Sequence, residues 1–336
     1  MKIIEVNLLK EITEMVGLRP ISMKKIGNTI LLAGKNGSGK TRLLNIIRQQ
    51  TDNLPQFLQQ KQSSKDQIKQ AEQQIAQQPQ QKQALEQRIK QQQEILNTPI
   101  PIITDSGEQK VTVVDFVPNK IDLDDWSNQN KQQWMQRANQ AAQPGVSNLH
   151  QATLPLIQQV LERWINTTHP KLKHSEDDIQ VSMDDYQRLQ SIIKSFLGTE
   201  IGWDKNGFST IFGRPISKAQ LSAGQRVLLQ LCVAIYAQGG TFSEHIIFMD
   251  EPENHLHPSV VIDLLDTIKE HNPNGQIWIA THSIPLLSHF DAPELWFVED
   301  GTVKHSGKKP EQVLKSLLGN EERIQKLKDL LTAKST

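Results

Sequence analysis

The stretch Gly34-Lys35-Asn36-Gly37-Ser38-Gly39-Lys40-Thr41 constrains the fold of this chain more than any other. It fits the pattern G-x-x-x-x-G-K-[ST] in full and directly follows the apolar run Ile30-Leu31-Leu32-Ala33. A buried strand that enters a glycine-rich turn and then a helix belongs to an open α/β sheet, whose ligand lies at the carboxyl ends of the strands. The glycines let backbone N–H groups turn inward around a phosphate, Lys40 reaches the β/γ oxygens of a nucleotide, and the Thr41 hydroxyl suits Mg²⁺. The helix that starts near Lys40 adds the positive end of its dipole. A plain turn before a helix is the alternative, and it does not explain why the whole pattern follows a strand.

Three further segments supply groups that such a site needs. Ile246-Ile247-Phe248-Met249-Asp250-Glu251-Pro252 reads as a buried parallel strand ending in two carboxylates, against the alternative of an acidic turn after a core strand. There Asp250 would hold Mg²⁺ and Glu251 would accept a proton from an attacking water. Gln276-Ile277-Trp278-Ile279-Ala280-Thr281-His282-Ser283 is a third apolar strand, and it places His282 at a neighbouring strand end. Leu221-Ser222-Ala223-Gly224-Gln225-Arg226 opens the apolar helix Val227 to Ile235 and reads as a helix N-terminus with exposed N–H groups, an anion site, against the alternative of a capped core helix with no ligand.

Taken together, Lys40, Leu221 to Arg226, Asp250-Glu251 and His282 resemble the Walker A, signature, Walker B and switch-histidine set of ABC-type ATPases, in their usual order. The resemblance implies ATP and Mg²⁺ as ligands. It places Gly34, Asn36, Gly37, Ser38, Gly39, Lys40, Thr41 and Arg42 around the phosphates, and it makes Lys40, Glu251 and His282 catalytic. Thr41, Asp250 and Asn119 become the metal-facing residues, Asn119 standing where the family has a glutamine at the end of a strand. Ser222 and Gly224, with Gln225, then act in trans on the nucleotide of an opposite subunit.

Departures from the transporter pattern narrow the resemblance. Ala223 stands where glycine is commoner, and no aromatic residue occurs between Met1 and Ala33 to stack on adenine. The run Asp250-Glu251-Pro252-Glu253-Asn254-His255-Leu256-His257-Pro258 is similar instead to the ABC-like ATPases grouped with the OLD, RecF and SMC proteins and with ATPases of bacterial defence systems. His255 and His257 invite a metal-site reading. With no third ligand nearby, a dimer-contact loop is the better one.

Between Gln56 and Asn97, 17 of 42 residues are glutamine, and Phe57 is the lone aromatic, which excludes a self-contained core. Ile68, Ala71 and Ile75, and then Leu85, Ile89 and Leu96, sit at helical spacing on either side of Pro79. Two helices folded back at Gln77 to Gln80, projecting as a small antiparallel coiled coil, is one reading, and a disordered insertion is the other. Strands are expected at Ile3 to Leu9, Ile26 to Ala33 and Val111 to Asn119, and helices at Thr41 to Gln50, Leu154 to Ile165 and Tyr186 to Leu197. Trp126, Trp134 and Trp164 are expected to pack between helices rather than stack on bases. Leu295 to Val298 leads through a turn to a closing strand, and a basic amphipathic tail runs from Glu311 to Lys334.

These readings amount to an α/β P-loop NTPase of ABC type: a mixed-sheet core with a helical lobe and a short Gln-rich helical hairpin insertion. The expected division is core 1–55, hairpin 56–98, core strand region 99–123, helical lobe 124–220, core 221–310 and helical tail 311–336. Zero formal net charge and a pI near 7.2 give no global basic field for nucleic acid, and the single Cys232 excludes an internal disulfide. With no long apolar run and no signal-peptide core, the expected location is cytoplasmic. The function expected from the resemblance is an ATP-hydrolysing homodimer that acts as a switch in anti-phage defence with a separate effector, a nuclease or toxin. A DNA-clamping repair ATPase and a transporter subunit are the alternatives.

Overall fold

The computed structural model describes residues 2–77, 79–105, 113–115, 123, 130–141, 149–169, 171, 173–237, 245–254, 256–290 and 294–305. In chain order the strands are β1 (Ile3–Leu8), β2 (Ile21–Lys24), β3 (Thr29–Ala33), β4 (Ile102–Thr104), β5 (Val113–Asp115), β6 (Ile201–Trp203), β7 (Ser209–Ile211), β8 (Arg214–Pro215), β9 (Ile246–Asp250), β10 (Gln276–Thr281), β11 (Leu295–Glu299) and β12 (Thr302–His305). The helices are α1 (Lys10–Thr13), α2 (Lys40–Asp52), α3 (Leu54–Gln77), α4 (Lys82–Asn97), α5 (Lys131–Gln140), α6 (Leu149–Thr168), α7 (Glu176–Leu197), α8 (Ala223–Ala237), α9 (Pro258–His271) and α10 (Ile284–His289). Asn119, Trp126, His255 and the 311–336 tail lie outside the described residues.

Strands β3 and β10 are buried at every position, as continuous apolar runs in a parallel sheet covered on both faces must be. The sheet has the order β12-β11-β3-β10-β9-β5, parallel from β11 to β5 and closed by antiparallel β12. Side chains alternate between its faces. Leu31, Ala33, Ile247, Met249, Ile277 and Ile279 enter one core with the helices α6 to α9. Ile30, Leu32, Phe248, Trp278 and Ala280 enter the other, with α2 and the small sheet described next.

That small sheet, of order β2-β1-β4, is antiparallel and caps the α2 face. The sequence reading missed β2, a four-residue strand with strict buried–exposed alternation. It also placed the 99–123 strand region in the core as one unit, whereas β4 joins β1 and only β5 joins the central sheet. Gln276, fully buried, ties the two sheets together: its amide donates to the Ile3 and Gly27 carbonyls (2.9 and 2.6 Å), and its Oε1 accepts from Ile3 N–H and Trp278 Nε1–H (3.0 and 2.8 Å).

The Gln-rich insertion is a helical hairpin, α3 folding back on α4 around Pro79. Its seam is short on apolar burial, with Ala71 and Leu85 its buried hydrophobics. Polar links supplement it: Ser64 Oγ to Gln92 Oε1 at 2.8 Å, Lys61 Nζ to the Leu96 carbonyl at 2.7 Å, and Arg88 to Gln67 Oε1 at 3.3 Å.

Beyond β5, helices α5 to α8 pack together, α7 starting at an Ser175 cap (Asp178 N–H to Oγ, 3.1 Å) and ending at Gly198 with φ of 65°. Helix α6, described from Leu149, already covers the five residues before the expected start and accommodates Pro155. Within the stretch read as a helical lobe, β6, β7 and β8 form an antiparallel sheet that the periodicity did not reveal, each strand being three residues or fewer. Trp134 is buried, and Trp164 stacks on Tyr186 at 4.2 Å, so both pack within the protein. No helix among the described residues is long and apolar enough to cross a membrane.

Candidate functional site

The adjacent parallel strands β3, β10 and β9 end side by side, and each delivers part of one polar cluster. After β3 the chain turns through Gly34, where an added Cβ would lie 2.3 Å from the Val298 carbonyl oxygen, so only glycine fits against β11. Gly39 enters α2 with φ of 106°, a conformation that other residues rarely adopt. Lys40 is buried, and its ammonium donates to the carbonyls of Gly34 and Lys35 (2.9 and 3.1 Å), which holds the loop curled around it. Ser38 Oγ is buried without a hydrogen-bond partner among the described residues. The Arg42 guanidinium donates to the Val16 carbonyl at 2.7 Å.

Thr41 Oγ1 lies 3.0 Å from Asp250 Oδ1, joining the start of α2 to the end of β9. Burial pushes the Asp250 carboxyl above its ordinary range; the Thr41 bond and the Lys40 charge oppose that push, and the Glu251 charge adds to it. Glu251 behaves in the opposite way. Burial raises it, but the Asn254 side-chain bond and the charges of His282 and Lys40 outweigh that and leave it below the usual carboxylate range.

Glu251 lies 3.8 Å from Lys40 Nζ and 3.3 Å from His282 Nδ1. Its backbone has φ of 46°, a strained position for a non-glycine residue. Three bonds maintain it: its N–H to the Ala280 carbonyl (2.8 Å), Asn254 N–H to its own carbonyl (3.0 Å), and Asn254 Nδ2 to its Oε2 (2.9 Å).

Ser222 and Gln225 bond one another reciprocally at the start of α8. Gln225 N–H donates to Ser222 Oγ (3.2 Å), and Ser222 N–H to Gln225 Oε1 (2.9 Å), a capping box that Ser-x-x-Gln spacing encodes. Gly224 lets α9 approach, since a Cβ there would lie 2.9 Å from Val260 Cγ1. The structure thus gathers Lys40, Thr41, Asp250, Glu251 and His282, while Ser222, Gly224 and Gln225 form a separate turn at the head of α8. His257 serves as the cap of α9, its Nδ1 accepting from Ser259 N–H, and no cluster of potential metal ligands occurs among the described residues.

Sequence reasoning assigned no role to Glu253 or Asn254 in the cluster. Glu253 Oε1 accepts from Thr281 Oγ1 (2.5 Å) and from His282 N–H (3.2 Å). The available signal was the Glu-x-Glu spacing across Pro252, since the short 3₁₀ turn Pro252–Asn254 folds the second carboxylate back toward the first.

The model of an AAA-domain family, described as putative AbiEii toxin of a type IV toxin–antitoxin system, matches residues 115–288, just over half of the chain. Among curated proteins, the chain is 33% identical over 89 residues to ABC transporter F family member 4 of Arabidopsis thaliana, covering 25% of this chain and 11% of that protein. It is 31% identical over 118 residues to elongation factor 3 of Phytophthora infestans (strain T30-4), covering 35% of this chain and 11% of that protein. The chain therefore spans about a tenth of the length of these relatives (11% in each). Among solved structures, it is similar to an ATP-binding cassette of an ABC transporter in its ADP conformation (14% identity, 90% of this chain and 93% of that one, TM-score 0.42). It is also similar to an SMC head bound to the winged-helix domain of ScpA (14% identity, 90% and 96%, TM-score 0.40).

Proposed function

This chain belongs to the AAA-domain family described as putative AbiEii toxin, type IV toxin–antitoxin system, and from that premise we propose that it is an ATP-hydrolysing molecular switch. The observation that carries the reading is the convergence of Lys40, Thr41, Asp250, Glu251 and His282 at the carboxyl ends of three adjacent parallel strands. That is where an open α/β sheet binds a nucleotide.

The loop amides and Lys40 cradle the β- and γ-phosphates. Buried Ser38 Oγ adds a hydroxyl that lacks a partner among the described residues. Glu251, held below the usual carboxylate range, stays ionised at neutral pH and takes a proton from the attacking water. The water oxygen forms a bond to the γ-phosphorus, the bond from that phosphorus to the bridging oxygen breaks, and ADP departs with the electron pair. His282 and Lys40 face the charge that gathers on the transferred oxygens. The Thr41 hydroxyl and the Asp250 carboxylate, already 3.0 Å apart, are the hard oxygen donors that suit Mg²⁺, which when bound neutralises phosphate charge.

The capped start of α8 presents Ser222 and Ala223, both exposed, at the positive end of the helix. We assign it to the nucleotide of a second copy, so that ATP closes a head-to-tail homodimer and hydrolysis releases it. The family description, together with the run from Asp250 to Pro258, supports a role in bacterial defence with a separate effector such as a nuclease or toxin. We assign the helical hairpin α3–α4 as the surface for such a partner.

The test combines phosphate release with light scattering on a sizing column. Lys40→Ala should lose ATP binding, whereas Glu251→Gln should keep binding, lose turnover by about 100-fold and run as a dimer with ATP and Mg²⁺. Turnover of Glu251→Gln within about twofold of the parent refutes the base assignment. A Glu251→Gln protein that binds ATP yet stays monomeric refutes the dimer.

A further inference from the structure

His282 approaches Glu251 through Nδ1, yet a second carboxyl group does more to hold the segment that carries it. Glu253 has a side chain only 7% exposed, and its Oε1 receives the Thr281 hydroxyl at 2.5 Å and the His282 backbone N–H at 3.2 Å. The same oxygen stands 3.7 Å from His282 Nδ1. Thr281 Oγ1 in turn accepts from Ser283 N–H at 3.0 Å, so one buried oxygen organises three consecutive residues at the exit of β10. The other oxygen, Oε2, is buried without a hydrogen-bond partner among the described residues. A carboxyl group is expensive to keep in such a place for packing alone, because burial without full hydrogen bonding costs free energy.

The ring chemistry follows from this arrangement. Glu251 Oε1 at 3.3 Å and Glu253 Oε1 at 3.7 Å converge on the same ring nitrogen. Carboxylate oxygens only accept, so the proton belongs on Nδ1.

We propose that Glu253 is a positioning residue: it locks the backbone at the exit of β10 and, with Glu251, holds the His282 ring with Nδ1–H turned inward, which fixes how the ring meets the bound nucleotide. The catalytic consequence rests on the ATP-hydrolysis reading above, whereas the placement of the proton does not.

The experiment therefore has two arms. In protein labelled with ¹⁵N-histidine, long-range ¹H–¹⁵N correlations report which ring nitrogen carries the proton, and His282→Ala identifies the His282 signals. The parent should show His282 protonated on Nδ1, and Glu253→Gln should shift it toward the Nε2–H tautomer. Thr281→Val, a milder change that removes the hydroxyl bound to Oε1, should move it in the same direction, and it decides the matter if circular dichroism shows Glu253→Gln unfolded.

In the kinetic arm, Glu253→Gln should lower kcat by about tenfold or more with KM for ATP within about threefold, and it should add less than about twofold in a His282→Ala background. A His282 nitrogen pattern unchanged in both variants overturns the proposal, as does a kcat loss equally large without His282. If the parent hydrolyses no ATP, the function proposed above falls, while the nitrogen pattern still decides for or against Glu253.

Discussion

Replacing Gln276 by leucine keeps the volume of a fully buried side chain and removes all four of its hydrogen bonds. Two of the abandoned groups are buried donors, Ile3 N–H and Trp278 Nε1–H, bonded to Oε1 at 3.0 and 2.8 Å. A buried donor left unpaired costs roughly 1–3 kcal/mol. The Ile3 carbonyl also loses a bond in a buried setting, whereas Gly27 is exposed and its carbonyl can turn to water. Against these losses, a leucine contributes about 1 kcal/mol of added apolar burial. The net is a loss of about 3 kcal/mol, a large part of the roughly 5–15 kcal/mol that holds a folded domain. For a chain of 336 residues, at about 2.1 cal/mol/K of unfolding entropy per residue, that is a fall in Tm of about 4 °C.

Gln276→Glu should be worse, because the carboxylate oxygen in place of Nε2 would face the carbonyls of Ile3 and Gly27, which now accept hydrogen bonds from the amide. His282 lies six residues further along the chain, roughly 20 Å away at strand rise. Gln276→Leu should therefore hydrolyse ATP within about twofold of the parent well below its Tm. Thermal unfolding followed by tryptophan fluorescence, with phosphate release at 15–20 °C alongside, checks both halves. A Tm within about 2 °C of the parent would show that the joint between the sheets carries no load, and lost activity at unchanged Tm would show that its effect is local to the site.

Mixing Lys40→Ala chains with Ser222→Arg chains should rebuild one intact composite site per heterodimer and restore part of the turnover that each lacks alone; heterodimers that form and stay inactive sink the in-trans assignment of Ser222. Asp250 gives a pH test. Its carboxyl lies above the ordinary value near 3.8, chiefly through burial, so its contribution to stability is complete below that value and lost as pH rises through the folded one. At pH 7 the ionised group weakens the nucleotide-free fold. Asp250→Asn, which keeps an acceptor for Thr41, should raise Tm at pH 7, with the gain shrinking toward pH 4, while hydrolysis supported by Mg²⁺ is lost. A Tm gain that does not change with pH would contradict the cause assigned to the shift. Gly34→Ala should lower Tm even without nucleotide, because the clash is with the Val298 carbonyl and not with a ligand, and a Tm equal to the parent's would refute that contact.

Much of the site was legible because its chemistry is local in the chain. The eight residues from Gly34 to Thr41 encode a turn by their own backbone preferences, and the apolar runs before Asp250 and Thr281 encode strands buried on both faces, wherever the rest of the chain goes. Ser222 and Gln225 cap their helix through a three-residue spacing. The hairpin around Pro79 was likewise readable from two short rows of apolar residues. Each of these depends on neighbours a few residues apart, for which periodicity and propensity suffice.

Tertiary structure decided what depends on distant partners. That β1 and β4 form a side sheet and do not join β3 follows from pairing between residues about a hundred positions apart, and its union with the central sheet rests on Gln276 meeting Ile3 across 273 positions. The turn of Arg42 toward Val16, the opposed shifts of Asp250 and Glu251, and the tie from Glu253 to Thr281 and His282 arise only once strand ends from separate parts of the chain stand side by side. Burial and charge at such a point are sums over groups that no local pattern brings together. For this reason the sequence by itself singled out the side chains that meet at the strand ends, and the packing of the sheet determined what holds them and in which direction the carboxyls of Asp250 and Glu251 shift.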